Sequence, residues 1–217
     1  MGLVLLFVSA FVTGLSGALM PGPVLFVTIR HTAEKGRVVG PLIVAGHAAV
    51  EIPLMLAVIL GLGGLLKRPV FTGVVGLAGG ALLLLLSAQM LRSLPDLHLP
   101  DPDEAGDDGG TGALGIIGAG AATSVANPYF PLWWATMGMR FLAGAAAFAP
   151  LGYVVFYAGH ILSDLGWYAA VAEGVHRGRR ILSDRGYRWL VGVCAVLLAG
   201  FALWFGIDGV KHLLRPG

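Results

Sequence analysis

Six apolar stretches restrict this chain most, each at least about as long as the ~20 residues a helix needs to cross a hydrocarbon core about 30 Å thick. They run over Gly2–Ile29, Val39–Leu66, Val70–Leu91, Ala113–Gly138, Ala145–Val175 and Trp189–Ile207, separated by charged residues. With 57% hydrophobic and 12% charged residues among 217, the chain is too apolar for an ordinary soluble domain. The 34 glycines fit the same reading, because small residues let membrane helices approach closely. The first window lacks a basic leader and is too long for a signal-peptide core, so it is expected to be a retained span. A net charge of +2 without a basic stripe excludes nucleic-acid binding. Cys194 is the single cysteine, which rules out an intramolecular disulfide and leaves it as a small core residue.

The third and fourth windows are separated by Pro95–Thr111, an acidic stretch rich in proline and glycine that reads as a solvent-exposed linker. It divides the chain into residues 1–94 and 112–217, three windows each. Of the 14 Lys and Arg residues, nine fall in the first, third and fifth loops. Positive residues stay cytoplasmic, so both termini are expected outside a multi-pass inner-membrane protein.

One pattern is written twice. Ala45-Gly46-His47 is followed by Glu51, and Ala158-Gly159-His160 by Asp164, each acid four residues after its histidine. A proline-broken stretch precedes each copy: Pro21-Gly22-Pro23 in the first window, and Asn127-Pro128 with Pro131 in the fourth. Three spans per half is an odd number, so the second copy enters the membrane from the opposite side. The expected fold class is therefore all-α integral membrane, six helices as two inverted-topology repeats, with the site between the halves.

Residues four apart share a helix face, so His47 stacks with Glu51 and His160 with Asp164. His47 lies ~12 Å inside its span at 1.5 Å per residue, near the midplane. Ionisable groups at that depth are costly and mark function by default. Two imidazoles and two carboxylates suit a proton relay or a divalent transition metal, and the residue types leave both open beside a structural role as helix staples. The prolines free backbone groups that survive in a membrane where they line a cavity or meet protein. Asn127, with donor and acceptor in an apolar setting and Thr123 and Ser124 a turn away, is the polar candidate beside the second break. Pro53 is expected to bend the second helix. Tyr129, Trp133, Trp134, Trp167, Tyr168 and Trp189 are expected as interfacial anchors or packing.

The PGP near the end of the first window, the NP of the fourth, the six-span length and the polar linker resemble the lysine-exporter (LysE/RhtB-type) translocator superfamily over essentially the whole chain. The resemblance implies efflux of a small solute, an amino acid in many members and a metal ion in others. Pro21, Gly22 and Pro23 match its first motif, and Asn127 with Pro128 its second; the histidine–acid copies match no known role among the amino-acid exporters. The function expected is proton-coupled export of an amino acid or similar zwitterion, with divalent-metal export through His47, Glu51, His160 and Asp164 as the alternative. An enzyme is not expected, since the chain has neither a CxxC pair nor an HExxH. The expected partners are a small-molecule substrate and the lipid bilayer, with a homodimer left open and no cofactor, unless a divalent metal under the alternative.

Overall fold

The structure is a computed structural model that describes residues 2–19, 22–97, 112–127, 129–178 and 183–214. These form nine α-helices: α1 (Leu3–Ala18), α2 (Pro23–Lys35), α3 (Val39–Ile59), α4 (Pro69–Ser93), α5 (Ala113–Val125), α6 (Tyr129–Trp133), α7 (Met139–Ala145), α8 (Leu151–Gly178) and α9 (Asp184–Leu214). A π-helical turn over Trp134–Gly138 joins α6 to α7, and 3₁₀ turns cover Leu62–Lys67 and Ala146–Phe148. No strand occurs among the described residues.

Helices α3, α4 and α9 are long and apolar enough to cross a membrane, and α1 with α2 counts as a fourth, bent by 76° between its two parts. The 28 residues of α8 extend ~42 Å at 1.5 Å per residue, but its polar side chains dilute its hydropathy. Large apolar side chains such as Val4 and Val12 on α1, Leu85 on α4 and Leu203 on α9 face outward. In water such a surface would aggregate; in a bilayer it is the lipid face of a multi-pass membrane protein.

Local sequence explains the ends. Gly36 closes α2 at φ 79°, a conformation glycine adopts without strain, and returns its N–H to the Thr32 carbonyl. Pro23 and Pro69 open α2 and α4 at positions where a missing N–H costs nothing. α3 continues through Pro53 to Ile59. In the fourth window α5 ends at Val125 and α6 begins at Tyr129, so the helix is interrupted at Asn127. Pro21, Pro128 and residues 98–111 of the expected linker lie outside the described residues.

The helices pack in a reciprocal way. α4 lies along α9, α1 along α8, α3 along α5, and α3 meets α8. The glycines of the repeated motif set two of these contacts. A methyl group on Gly46 would strike the backbone of Ile117 and Ala121 on α5, and one on Gly159 would strike the Phe7 carbonyl and Ala10 on α1. One end of the bundle gathers three connections. The Arg188 Nε–H donates to the Leu97 carbonyl at 2.7 Å, and His176 on α8 packs beside Gly36. Cys194 is buried in the core that α9 shares with α2 and α4, as a small core residue should be.

Candidate functional site

The close packing of α3 and α8 brings the two copies of the motif face to face. The His160 Nε2–H donates to Glu51 Oε1 at 2.7 Å, and His47 Nε2 lies 3.3 Å from the same oxygen. Asp164 Oδ2 sits 3.7 Å from His47 Nε2 and 3.9 Å from His160 Nε2. One donor atom from each of the four residues lies within 4.8 Å of all the others. Glu51, His160 and Asp164 are buried, at 1%, 6% and 6% exposure. The four side chains named from the sequence therefore converge, two from each half.

Their environment orients them. Ser124 on α5 donates its hydroxyl proton to the Gly120 carbonyl at 2.7 Å, so it accepts from the Nδ1–H of His47 at 2.8 Å. That fixes the imidazole with Nε2 aimed at the two carboxylates. His160 is held differently, its ring stacked on Trp133 at 4.5 Å and flanked by Phe156. The Trp134 indole N–H gives Glu51 Oε1 a further donor at 3.2 Å. Glu51 thus collects two donated hydrogen bonds and the His47 contact on one oxygen. Glu51 Oε2 and Asp164 Oδ2 have no hydrogen-bond partner among the described residues.

The cluster forms part of the wall of a cavity of about 330 Å³, which is also lined by Gly22, Pro23, Ser124 and Asn127. Both helix interruptions therefore face the same space as the acids. The Asn127 Oδ1 accepts the Tyr129 N–H at 3.0 Å and caps the first turn of α6. Pro131 is buried in α6.

Of the two roles expected for Trp134, anchor or packing, it takes packing. It is fully buried and bonded to an acid, because the second interruption turns this face of the helix into the cavity wall. Trp133 is likewise a stacking partner for His160, whereas Trp189 is 70% exposed as an interfacial residue can be.

The model of the LysE type translocator family matches residues 15–209, which includes both histidine–acid pairs and both interruptions. The chain belongs to this family. Among its relatives, a LysE-family protein of Pseudomonas aeruginosa named "Chemotactic transduction protein ChpE" is 31% identical over 199 residues, covering 91% of this chain and 95% of that one. A Bacillus subtilis relative named "Putative amino acid efflux protein YcgF" is 25% identical over 210 residues, covering 96% and 99%. No solved structure matches. This LysE translocator is thus a transporter with both histidine–acid pairs, Ser124 and Asn127 on one cavity.

Asn127→Ala should lower transport several-fold in this LysE translocator while leaving it monodisperse, and Asn127→Ser, which keeps a capping oxygen, should restore most of the rate. Uptake into everted vesicles alongside size-exclusion chromatography separates the two effects. Full transport by the alanine variant would reduce Asn127 to packing.

Proposed function

We propose that this LysE translocator is a secondary exporter of an amino acid or similar zwitterion, driven by protons handled at His47, Glu51, His160 and Asp164. The observation that carries this reading is the meeting of two imidazoles and two buried carboxylates from opposite halves on the wall of one cavity. The name of the Bacillus subtilis relative points to the same substrate class. A buried carboxylate with an unpartnered oxygen is an unstable arrangement unless a proton, a cation or water meets it. A site that alternately accepts and releases a proton uses that instability.

Divalent-metal export is the second reading, favoured by the closeness of the four donor atoms. The present geometry supports it less. Ligands about 2.1 Å from a tetrahedral zinc stand roughly 3.4 Å apart. The 2.7 Å contact of His160 with Glu51 is shorter than that and is a hydrogen bond.

The architecture in this proposal is six spans in two inverted repeats, α1–α4 and α5–α9, with both termini outside. Its support is reciprocity. Exchanging the halves turns the α1–α8 contact into the α5–α3 contact, and leaves α3–α8 and α4–α9 unchanged. Gly46 and Gly159 exchange in the same way, each seated against the first helix of the other half. The end that gathers Lys35, Arg37, Arg92, Arg177 and Arg188 is the cytoplasmic one, by the bias of positive residues.

Cysteines placed one at a time at Lys35 and Arg177 should both react with a membrane-impermeant maleimide in inside-out vesicles and be protected in intact cells. Labelling of the two from opposite sides would end the inverted-repeat reading. The transport proposal itself is tested in proteoliposomes with an imposed pH gradient: amino-acid flux should follow the gradient, and metal analysis of the purified protein should find no stoichiometric divalent ion.

A further inference from the structure

The contacts of the two halves do not match everywhere, and the mismatches form a pattern. Exchanging the halves carries α2 onto the segment from α6 to α7. Three contacts of α2 have counterparts: its packing on α3, α5 and α8 becomes that of α7 on α8, of α7 on α1, and of the π-helical turn on α3. The fourth has none. α2 also packs on α9, whereas among the described residues α4 has no comparable packing against α6, the π-helical turn or α7. A second mismatch is independent of the first. α4 meets α5 where Gly79 lies against the Ala126 carbonyl. The matching pair, α9 and α1, has no comparable packing among the described residues, and the cavity lies between them, lined by Gly14, Gly17 and Ala18 from α1 and by Phe201, Trp204 and Phe205 from α9.

Inverted halves put matching contacts at opposite faces of the membrane. The α2–α9 contact lies where α2 ends at Lys35 and α9 begins at Asp184, the end assigned above to the cytoplasm. The α1–α9 gap runs toward the other end, where α1 begins and α9 finishes. At the cytoplasmic end one polar contact crosses from α2 to α9. The Tyr187 hydroxyl donates to Glu34 Oε1 at 3.4 Å, and the same carboxylate is held by Arg30 Nε at 3.4 Å and faces His31 Nδ1 at 3.6 Å. Tyr187 is fully buried in the apolar core that α9 shares with α2 and α4, where its hydroxyl depends on that acceptor. α2 is bounded by Gly22 and Gly36 and stands at 76° to α1, so it can swing as a unit about its ends.

We propose that this is the cytoplasm-closed state of the carrier, with α2 as the gate and the Tyr187–Glu34 hydrogen bond as its latch. The cytoplasm-open state is reached when α2 leaves α9 and the α6–α7 segment closes on α4. This rests on the inverted-repeat reading above and names the state and the residues that hold it. Neither Glu34 nor Tyr187 lines the cavity, so the latch is separable from the groups that handle protons.

Val24, partly buried on the cavity wall, supplies the reporter. In the full chain carrying Cys194→Ala, Val24→Cys should react with a membrane-impermeant maleimide in intact cells, and at least about tenfold more slowly in inside-out vesicles. Tyr187→Phe and Glu34→Ala should each raise the rate from the cytoplasmic side about fivefold, the worth of one net hydrogen bond, and the two together should do no more than Glu34→Ala alone. Glu34→Gln, which keeps an acceptor for Tyr187, should stay near the parent rate. An unchanged cytoplasmic rate in either Tyr187→Phe or Glu34→Ala would overturn the latch. With the gate intact, labelling of Val24→Cys as fast from the cytoplasm as from outside, or from neither side, would overturn the closed state, and this result stands even where a gate variant fails to stay monodisperse. Labelling of a cysteine at Lys35 from outside would instead overturn the orientation on which the proposal rests.

Discussion

Glu51→Gln and Asp164→Asn, each alone, should reduce pH-gradient-driven transport by about 100-fold or more, the scale on which a positioned proton-transfer group acts. Both should fold. The glutamine carbonyl can still accept from His160 and Trp134, and the asparagine amide can face His47, so each replaces a buried charge by a neutral group of the same shape. The asymmetry of the cluster sharpens this expectation. Glu51 is braced by donors, so its glutamine variant keeps a weaker form of the His160 contact, whereas Asp164 makes only the longer contacts and its asparagine variant removes a charge and little else. Flux in proteoliposomes, measured with and without an imposed gradient, is the readout, with thermal unfolding as the control. A gradient response equal to the parent protein's in either variant would remove that carboxylate from the coupling step.

Gly46→Ala and Gly159→Ala should each destabilise the protein by about 3 kcal/mol or more, the upper range for overpacking against a neighbour that cannot move. The added methyl at Gly159 would meet the Phe7 carbonyl at 2.6 Å, and that at Gly46 would meet the Ala121 nitrogen at 2.8 Å and the Ile117 backbone. Main-chain atoms inside a helix have no rotamer to retreat into. Gly118→Ala and Gly174→Ala, where the methyl meets nothing within 4 Å, should do the opposite and stabilise slightly, since alanine is the better helix former by about 1 kcal/mol. Melting temperatures and monodispersity in detergent distinguish the two pairs. Alanine tolerated at Gly46 would mean that α3 and α5 stand further apart than they do here.

The long helices and the meeting of the histidine–acid pairs were legible because both depend on local rules. Apolar length between charges gives α4 nearly to its ends and the middle of α9, and four-residue spacing puts each acid beside its histidine. The repeat added the one long-range statement a sequence makes freely, that similar segments occupy related places. What could not be read was anything set by a neighbour arriving from another part of the chain. Trp134 could be read as anchor or packing, but not as the residue whose indole N–H reaches Glu51. Ser124 is an ordinary helix serine until α3 packs close enough for His47 to reach it. The start of α2 on the cavity wall was hidden because proline announces an interruption without saying which surface the next turn will face. The chain between Met139 and Pro150 forms helix α7 and a 3₁₀ turn, which no loop rule foretells.

The indole donor on Glu51 bears on the energetics of a transport cycle. If the two halves exchange conformations to open the cavity on alternate sides, Asp164 takes the central place that Glu51 holds here. The trade is not even. Trp134 stands six residues after Pro128, and the same count from Pro21 reaches Val27, which has no side-chain donor to offer. The state with Glu51 at the centre keeps one hydrogen bond that its counterpart lacks, about 1 kcal/mol, or roughly a fivefold difference in population. An empty carrier would then rest mostly in one orientation, and Trp134→Phe would level that preference without touching any group that carries a proton.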